Sequence, residues 1–571
     1  MNCAKMAMGL NAIIILNILL IIILFQPAFS IEHLLAHKFN GSPKEYIEVS
    51  KPLFQHPPRK KPCSVQVLKH DFGNTYGQPP VKVPYNPPTK CPHNWDKVVL
   101  QWRATCKGEQ YDRIAGVWLS GAEILRTSTA EPTESGIVWE VNKDITRYTS
   151  LLKKPQFLAV MLENLVDSTF TGIYHVTISF HYYQIDDAQM QPSHEPADLV
   201  LPISNPFGNG GHWFKLQNTY DVQSQELNIP SNVYRAVIEI YVSAHVNDEF
   251  WYSNPPDAYI EINNLTTKRG NGAFREIVGF IDGVVVGAVW PFPVVFTGGI
   301  NPLFWAPVVG IGAFDLPTYD LEVTPFVGQL LDGEHHTFGL GVTDAIAAWF
   351  VDANLHLWLD EKSTKTKGML MDYEAPSFQP ILVSNFEGLD GSFETHGERK
   401  IAFSGWVEST KGNLTTHVSQ TFKYSNVITY ENKGEDKKVR LKIQTNRKLT
   451  IETPSELVLS HKMSRLYPFF MNSVSLDKEN GTYLATTNIS HAFIEETSNS
   501  LPSGTSFTSL NNSQYAQGSM LVKDHSVLSG TASTQQIYKY RGRHGCYFRT
   551  LNVKDYKFIK DYSDNFCNYY S

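Results

Sequence analysis

Asp112 stands in Gln110-Tyr111-Asp112-Arg113, directly ahead of the apolar run Ile114-Ala115-Gly116-Val117-Trp118-Leu119. A carboxylate at a strand mouth, between an aromatic ring and a guanidinium, can be oriented and tuned for acid–base work, or can make a plain surface ion pair. Glu249 lies in Asn247-Asp248-Glu249-Phe250-Trp251-Tyr252. An acid beside three aromatics has the composition of a sugar site, because aromatic faces stack on pyranose rings; it also describes the flank of an aromatic core. Glu163 follows the apolar run 157–162 and is either a third acid or a polar strand terminus. Trp290-Pro291-Phe292-Pro293, followed by Gly298-Gly299 and Trp305, is a rigid aromatic segment that could line a cleft or plug the end of a module. The chain contains no Gly-x-Ser-x-Gly, Walker loop, His-Glu-x-x-His or Cys-x-x-Cys. Glu334-His335-His336 has the wrong spacing for two ligands on one helix and reads as an exposed turn, so no metal and no cofactor is expected.

The elements that must position these acids read as strands. Val98-Val99-Leu100, 114–119, 173–180 and 236–242 are short apolar or alternating runs bounded by Gly, Pro, Asn and Asp. The segment 345–359 is ambiguous by period; Trp349, Val351 and the alternation Leu355-x-Leu357-x-Leu359 favour a strand. Block comparison finds a repeat. Tyr111-Asp112-Arg113-Ile114 running into Leu119-Ser120-Gly121, then Asp144-Ile145-Thr146, then 156–160, is echoed by Phe274-Arg275-Glu276-Ile277 running into Ile281-Asp282-Gly283, then Glu322-Val323-Thr324, then 337–342. Two β-sandwich modules side by side would explain it. The expected class is all-β: jelly-roll-like modules over 63–245 and 246–365, and an accessory β domain over 366–571, with Thr497 to Ser513 as a Ser/Thr/Asn-rich loop.

Composition sets the compartment and excludes partners. Charged residues make up 18% of 571 and the net charge is −7. This is no basic excess with which to neutralise phosphates, so no nucleic-acid partner is expected. Residues 1–30, with Lys5, an apolar run from Leu10 to Phe25 and Ala28-Phe29-Ser30, read as a cleaved signal peptide, which leaves no membrane anchor. Sequons at Asn40, Asn264, Asn413, Asn480, Asn488 and Asn511 support the secretory route, extracellular or vacuolar. Eleven of the 32 prolines fall between Pro43 and Pro92, and 31–62 reads as an extended arm. Once Cys3 leaves, five cysteines remain; sequence separation favours Cys91–Cys106 and Cys546–Cys567, with Cys63 left over.

The acids sit in longer motifs. Gln110-Tyr111-Asp112-Arg113-Ile114, then Glu123-Ile124-Leu125-Arg126-Thr127-Ser128-Thr129-Ala130-Glu131-Pro132, closely resembles the peptide-N-glycosidase A family of plants and fungi. So do Glu249-Phe250-Trp251-Tyr252-Ser253-Asn254, Trp290-Pro291-Phe292-Pro293 and Ala313-Phe314-Asp315-Leu316. The resemblance implies hydrolysis of the glycosylated asparagine amide, with N-glycopeptides and glycoproteins as substrates. A fainter resemblance to bacterial peptide-N-glycosidase F implies two jelly rolls with the site at their interface. It places Asp112 as the essential acid and Glu249 and Glu163 as further functional acids. Arg113 would bind substrate or hold Asp112, and Tyr111, Tyr241 and Trp251 are candidates for stacking on the chitobiose core. Two alternatives stay open: an endo-acting glycoside hydrolase, which also pairs carboxylates at a sugar cleft, and an inactive glycan-binding protein.

Overall fold

The structure, a computed structural model, describes residues 43–54, 58, 60–92, 94–185, 195–523, 526–543 and 545–567. The expected signal segment and Asn40 lie outside the described residues.

The first module comprises β1 (Lys44–Tyr46), β2 (Cys63–Phe72), β3 (Val81–Tyr85), β4 (Lys97–Cys106), β5 (Ile114–Leu119), β6 (Ala122–Ser128), β7 (Ile137–Asp144), β8 (Gln156–Leu162) and β9 (Tyr174–Tyr183). They make two sheets, in the orders β1-β7-β4-β9-β2 and β3-β8-β5-β6. The second comprises β10 (Leu199–Ile203), β11 (Phe214–Asn218), β12 (Val222–Asn228), β13 (Val233–Ala244), β14 (Glu276–Ile281), β15 (Val284–Val289), β16 (Thr318–Glu322), β17 (His335–Thr343) and β18 (Ile346–Leu359). Its sheets run β10-β18-β13-β16, with β11 also on β18, and β12-β17-β14-β15.

These orders superimpose strand for strand. β7-β4-β9-β2 answers to β16-β13-β18-β10, and β3-β8-β5-β6 to β12-β17-β14-β15. The repeat seen in the sequence is therefore a repeat of topology. Its x-Gly steps are the two-residue turns of equivalent hairpins: Ser120 and Gly121 have φ of 55° and 87°, and Asp282 and Gly283 have 49° and 77°. Two consecutive positive φ values match the twist of the flanking strands and explain the glycine at the second position. The sandwich faces follow from alternation; along β9 the buried residues are Tyr174, Val176, Ile178, Phe180 and Tyr182.

The module boundary moves. Residues 199–244, expected in the first module, belong to the second, because β13 pairs with β18 from Val233↔Leu359 to Ala244↔Trp349. An apolar strand shows its own periodicity but not its partner, and this partner lies over a hundred residues away. The preference for a strand at 345–359 holds, whereas His335 opens β17 and His336 is buried against Asp282 Oδ2 at 2.7 Å.

The third region is one 11-stranded sheet running from Lys367–Glu374 to Lys557–Asp564. The expected loop between Thr497 and Ser513 is instead a hairpin tip, with arms Thr482–Leu501 and Gly504–Lys523 and a cross-strand hydroxyl pair, Ser500 with Thr505, at 3.1 Å. Threonine-rich strands fit a pleated surface even when polar on both faces. The sheet grips the aromatic segment of the second module: Gln514 Nε2 donates to Val309 O at 3.0 Å and Thr534 Oγ1 to Phe304 O at 2.7 Å. Asn264, Asn413, Asn480 and Asn511 are exposed. Asn488 sits mid-strand with its Oδ1 buried.

The disulfides are Cys63–Cys91 and Cys546–Cys567, with Cys106 a buried free thiol; the expected Cys91–Cys106 bond is wrong. Nearness in sequence misled because Cys106 ends the ten residues of β4. At about 3.3 Å per residue a strand carries its far end well beyond bridging distance. Cys63 and Cys91 meet at a Cα separation of 5.6 Å. Cys91→Ser should lower unfolding stability by about 2–4 kcal/mol in a urea titration, while Cys106→Ser leaves disulfide content unchanged by thiol counting.

Candidate active site

The geometry begins at one end of the sheet β8-β5-β6. β5 pairs with β6 from Ile114↔Ser128 and with β8 from Ala115↔Leu162. Beyond the last pairs, Asp112 precedes β5, Glu131 follows β6 and Glu163 follows β8, so antiparallel pairing brings all three acids to the same end. Backbone bonds extend the β5–β6 ladder: Thr129 N donates to Arg113 O at 2.8 Å, and Arg113 N to Thr129 Oγ1 at 2.8 Å.

Glu249 comes from the equivalent place in the second module, the link between β13 and β14, as Asp112 lies in the link between β4 and β5. Its neighbour Asp248 is the anchor. Asp248 is fully buried and accepts from Arg275 Nε and Nη2 at 2.7 and 2.6 Å, Trp349 Nε1 at 2.6 Å and Ile346 N at 3.0 Å. With Asp248 spent on the scaffold, Glu249 is turned toward the other module.

The two modules are locked by a buried ionic network. Arg126 of β6 forks onto Glu123 at 2.9 and 2.6 Å and reaches across to Phe350 O at 2.6 Å, Ser243 Oγ at 3.2 Å and Asp352 Oδ1 at 3.3 Å. A second bridge joins Tyr148 to Glu239 at 2.6 Å and to Tyr241 at 2.7 Å. Breaking one partner of such a network leaves an uncompensated buried charge, so it holds the modules in one register.

The aromatic segment completes the site. Thr297 Oγ1 donates to Thr129 O at 3.0 Å, and Trp305 Nε1 to Gly299 O at 2.8 Å. Gly298 N then donates to Asp112 Oδ2 at 3.3 Å. A Cβ on Gly298 would stand 2.9 Å from both Asp112 Oδ1 and Glu131 Oε1, and one on Gly299 3.2 Å from the Phe250 ring. A side chain there would push one of the two carboxylates aside. Gly298→Ala should cut kcat/KM by about 100-fold through displacement of Asp112, with the thermal midpoint little changed in a scanning melt.

The electrostatics couple the modules. Burial pushes the Glu249 carboxyl up to about 8, reinforced by the nearby Asp112 charge and opposed by Arg269. Burial also raises Asp112, against the opposing pull of the Gly298 N–H and Arg113. Two interacting carboxylates in one apolar recess share a proton rather than both ionise. Those two partners oppose the rise at Asp112 without cancelling it. Among the described residues nothing hydrogen-bonds to the buried Glu249 Oε1 or to Arg113 Nε. Arg113 Nη2 is held by Gln110 Oε1 at 2.7 Å, and Gln110 in turn donates to Leu165 O at 2.8 Å.

The other expected residues divide. Tyr111 is half-buried, its ring 4.6 Å from Phe170 and 5.8 Å from the Arg113 guanidinium, beside Asp112. Tyr241 is 1% exposed inside the Glu239–Tyr148 network, and Trp251 is 2% exposed against Trp349 and Tyr252. Neither offers a ring face, so their expected role in stacking on sugar is withdrawn; β-strand and core positions claimed the two rings. Glu163 Oε1 accepts from Gly77 N at 3.0 Å and faces Gly210, where a Cβ would lie 2.3 Å from Glu163 Oε1 and 2.8 Å from Lys215 Nζ. It borders the same sheet end but faces a different loop of the second module. Gly298, expected only as part of a segment that could line a cleft, and Glu131, expected only within a motif, had no site role from sequence, although the β5–β6 register, continued, sets Glu131 opposite Tyr111.

Residues 52–376 match the family described as peptide N-acetyl-beta-D-glucosaminyl asparaginase amidase A, and 392–469 match the PNGase A C-terminal domain. The chain is 50% identical over 538 residues, 92% of its length and 93% of the relative's, to peptide-N4-(N-acetyl-beta-glucosaminyl)asparagine amidase A of Prunus dulcis. Among solved structures it is similar to recombinant peptide:N-glycanase F at 13% identity, covering 52% of this chain and 96% of that one with a TM-score of 0.37. It is likewise similar to PNGase F, a glycosylasparaginase from Flavobacterium meningosepticum, at 12% identity, with the same coverage and TM-score. Identity at half of all positions along nearly the whole of both chains settles the relationship: the chain belongs to the peptide-N-glycosidase A family.

Proposed function

We propose that this chain hydrolyses the side-chain amide of glycosylated asparagine, releasing the intact N-glycan as a glycosylamine and leaving aspartate. The observation that carries the reading is that Asp112 and the Glu249-Phe250 step, one from each module, flank the same Gly298-Gly299 backbone, close enough for the Asp112 charge to raise the Glu249 carboxyl. An amide resists hydrolysis because its nitrogen leaves poorly. Water must lose a proton as it attacks the carbonyl carbon, and the nitrogen must gain one as the C–N bond breaks. Asp112, whose anion the Gly298 N–H and Arg113 stabilise against burial, takes the proton from water and returns it to the departing nitrogen. Glu249 keeps its proton at neutral pH and donates a hydrogen bond that orients the water or the first GlcNAc. Glu163, near Lys215 at the same sheet end, is the supporting acid, and half-buried Tyr111 beside Asp112 is the remaining candidate for stacking on sugar. The released 1-amino-sugar then loses ammonia to water.

Incubation with an Asn-linked glycopeptide followed by peptide mass analysis tests this. A sugar-free peptide with Asp at the former sequon supports it. A peptide retaining one GlcNAc indicates an endoglycosidase, and an unchanged mass indicates a binding protein; either outcome overturns the reading. Two disulfides fit an oxidising compartment, and no helix among the described residues is long and apolar enough to cross a membrane. We assign the protein to the secretory route, extracellular or vacuolar, where glycoproteins are its substrates.

A further inference from the structure

We propose that Glu131 is a positioning residue of the amidase site: from beside Gly298 it sets the proton affinity of Asp112. This rests on the amidase reading above. Glu131 Oε1 and Asp112 Oδ1 each lie 2.9 Å from one point, the Cβ position on Gly298. Glu131 is only 5% exposed. A second carboxylate this near raises the affinity of the first for its proton, since separating two like charges from water in one recess is costly.

What faces Glu131 comes from both ends of the chain. Burial raises the hydroxyls of Tyr46 of β1 and of Tyr556, in the turn before Lys557–Asp564, and the nearby Glu131 charge adds to both. Lys44 lies 4.6 Å from the Tyr556 ring centroid, with Lys557 beyond it. Asp112 lies across the Gly298 position, with Arg113 and Glu249 near Asp112 in turn. Tyr174 closes the base, its hydroxyl donating to Tyr111 O at 2.8 Å and lying 3.4 Å from Ala130 O. The arm and the last hairpin thus do more than cover the sandwich. β1 joins β7 in parallel register, Lys44↔Ile137 to Tyr46↔Trp139, and Glu48 accepts from Gly312, Phe314 and Asp315 N at 2.7, 2.7 and 2.9 Å. Together they wall Glu131 away from water and hold it against Asp112.

The test is the pH dependence of kcat/KM on an Asn-linked glycopeptide for the full chain, comparing wild type, Glu131→Gln and Glu131→Asp. With anionic Asp112 as the base, activity rises with pH through its pKa. Removing the neighbouring charge lets Asp112 ionise sooner, so the acid limb of Glu131→Gln moves to lower pH by about one unit. Glu131→Asp, with its carboxylate drawn back by one methylene, moves the limb the same way by less, and decides the matter if Glu131→Gln fails to fold. A limb that stays in place in the folded variants, whatever their activity, overturns the proposal. A wild type without amidase turnover overturns the underlying reading as well, so the two failures are distinguishable.

Discussion

Asp112→Asn abolishes amidase turnover, with kcat/KM falling roughly 1,000-fold or more, while the fold persists. Asparagine keeps the size of the side chain and an oxygen for the Gly298 N–H, which donates to Asp112 Oδ2 at 3.3 Å. What it loses is the ability to take a proton. The fold should not suffer, because a half-buried carboxylate facing Glu249 is held at an energetic disadvantage and its removal relieves repulsion. The check is product mass from a glycopeptide beside a circular-dichroism melt. Full activity in a folded variant would remove Asp112 from the mechanism. A second reading comes from Glu249 in the same variant: without the Asp112 charge, its carboxyl should titrate below the value of about 8 it has in the native protein.

Glu249→Gln has the next largest effect, a loss of about 100-fold in kcat/KM at neutral pH. The more telling result is the shape of its pH profile. With its carboxyl near 8, Glu249 is protonated below that pH and loses the proton above it, so wild-type activity falls as pH rises through about 8. Glutamine cannot ionise, and its alkaline limb at that position should disappear. Stability follows the same proton. Glu249 has its folded pKa raised above the ordinary carboxyl value of 4.5. Between those two values the native state binds more protons than the unfolded one, so its contribution is full below the lower value and shrinks as pH rises to about 8. Glu249→Gln should therefore flatten the dependence of the melting midpoint on pH over that interval. A wild-type protein whose midpoint rises across it would contradict the burial of a protonated carboxyl at this position.

Several features were legible in residues alone. The x-Gly steps at Ser120-Gly121 and Asp282-Gly283 showed the two hairpins because two-residue turns with positive φ have few chemical solutions. Alternation showed the strands, and the repeat between them foretold two equivalent modules. Asp112 stood out only through the motif's resemblance to the peptide-N-glycosidases, since its position before a strand fits a surface ion pair as well. The failures share a cause. Cys91 and Cys106 looked like partners until a ten-residue strand separated them. Trp251 and Tyr241 looked like sugar platforms, yet packing against Trp349 and bonding to Tyr148 buried both rings. Residues 199–244 looked continuous with the first module until β13 found β18.

The sequence by itself determined the all-β class and the duplicated hairpins, since these depend on turn geometry, periodicity and residue type within a few positions; the acids were picked out by their resemblance to a known family. Only the tertiary structure decided that Asp248 is spent on Arg275 and Trp349, that Gly298 lies beside Asp112 and Glu131, and that Tyr241 and Trp251 are buried. Those facts depend on where separate strands end relative to one another. Strand ends are set by long-range pairing and by the buried Arg126 network between the modules, neither of which leaves a local pattern in the chain.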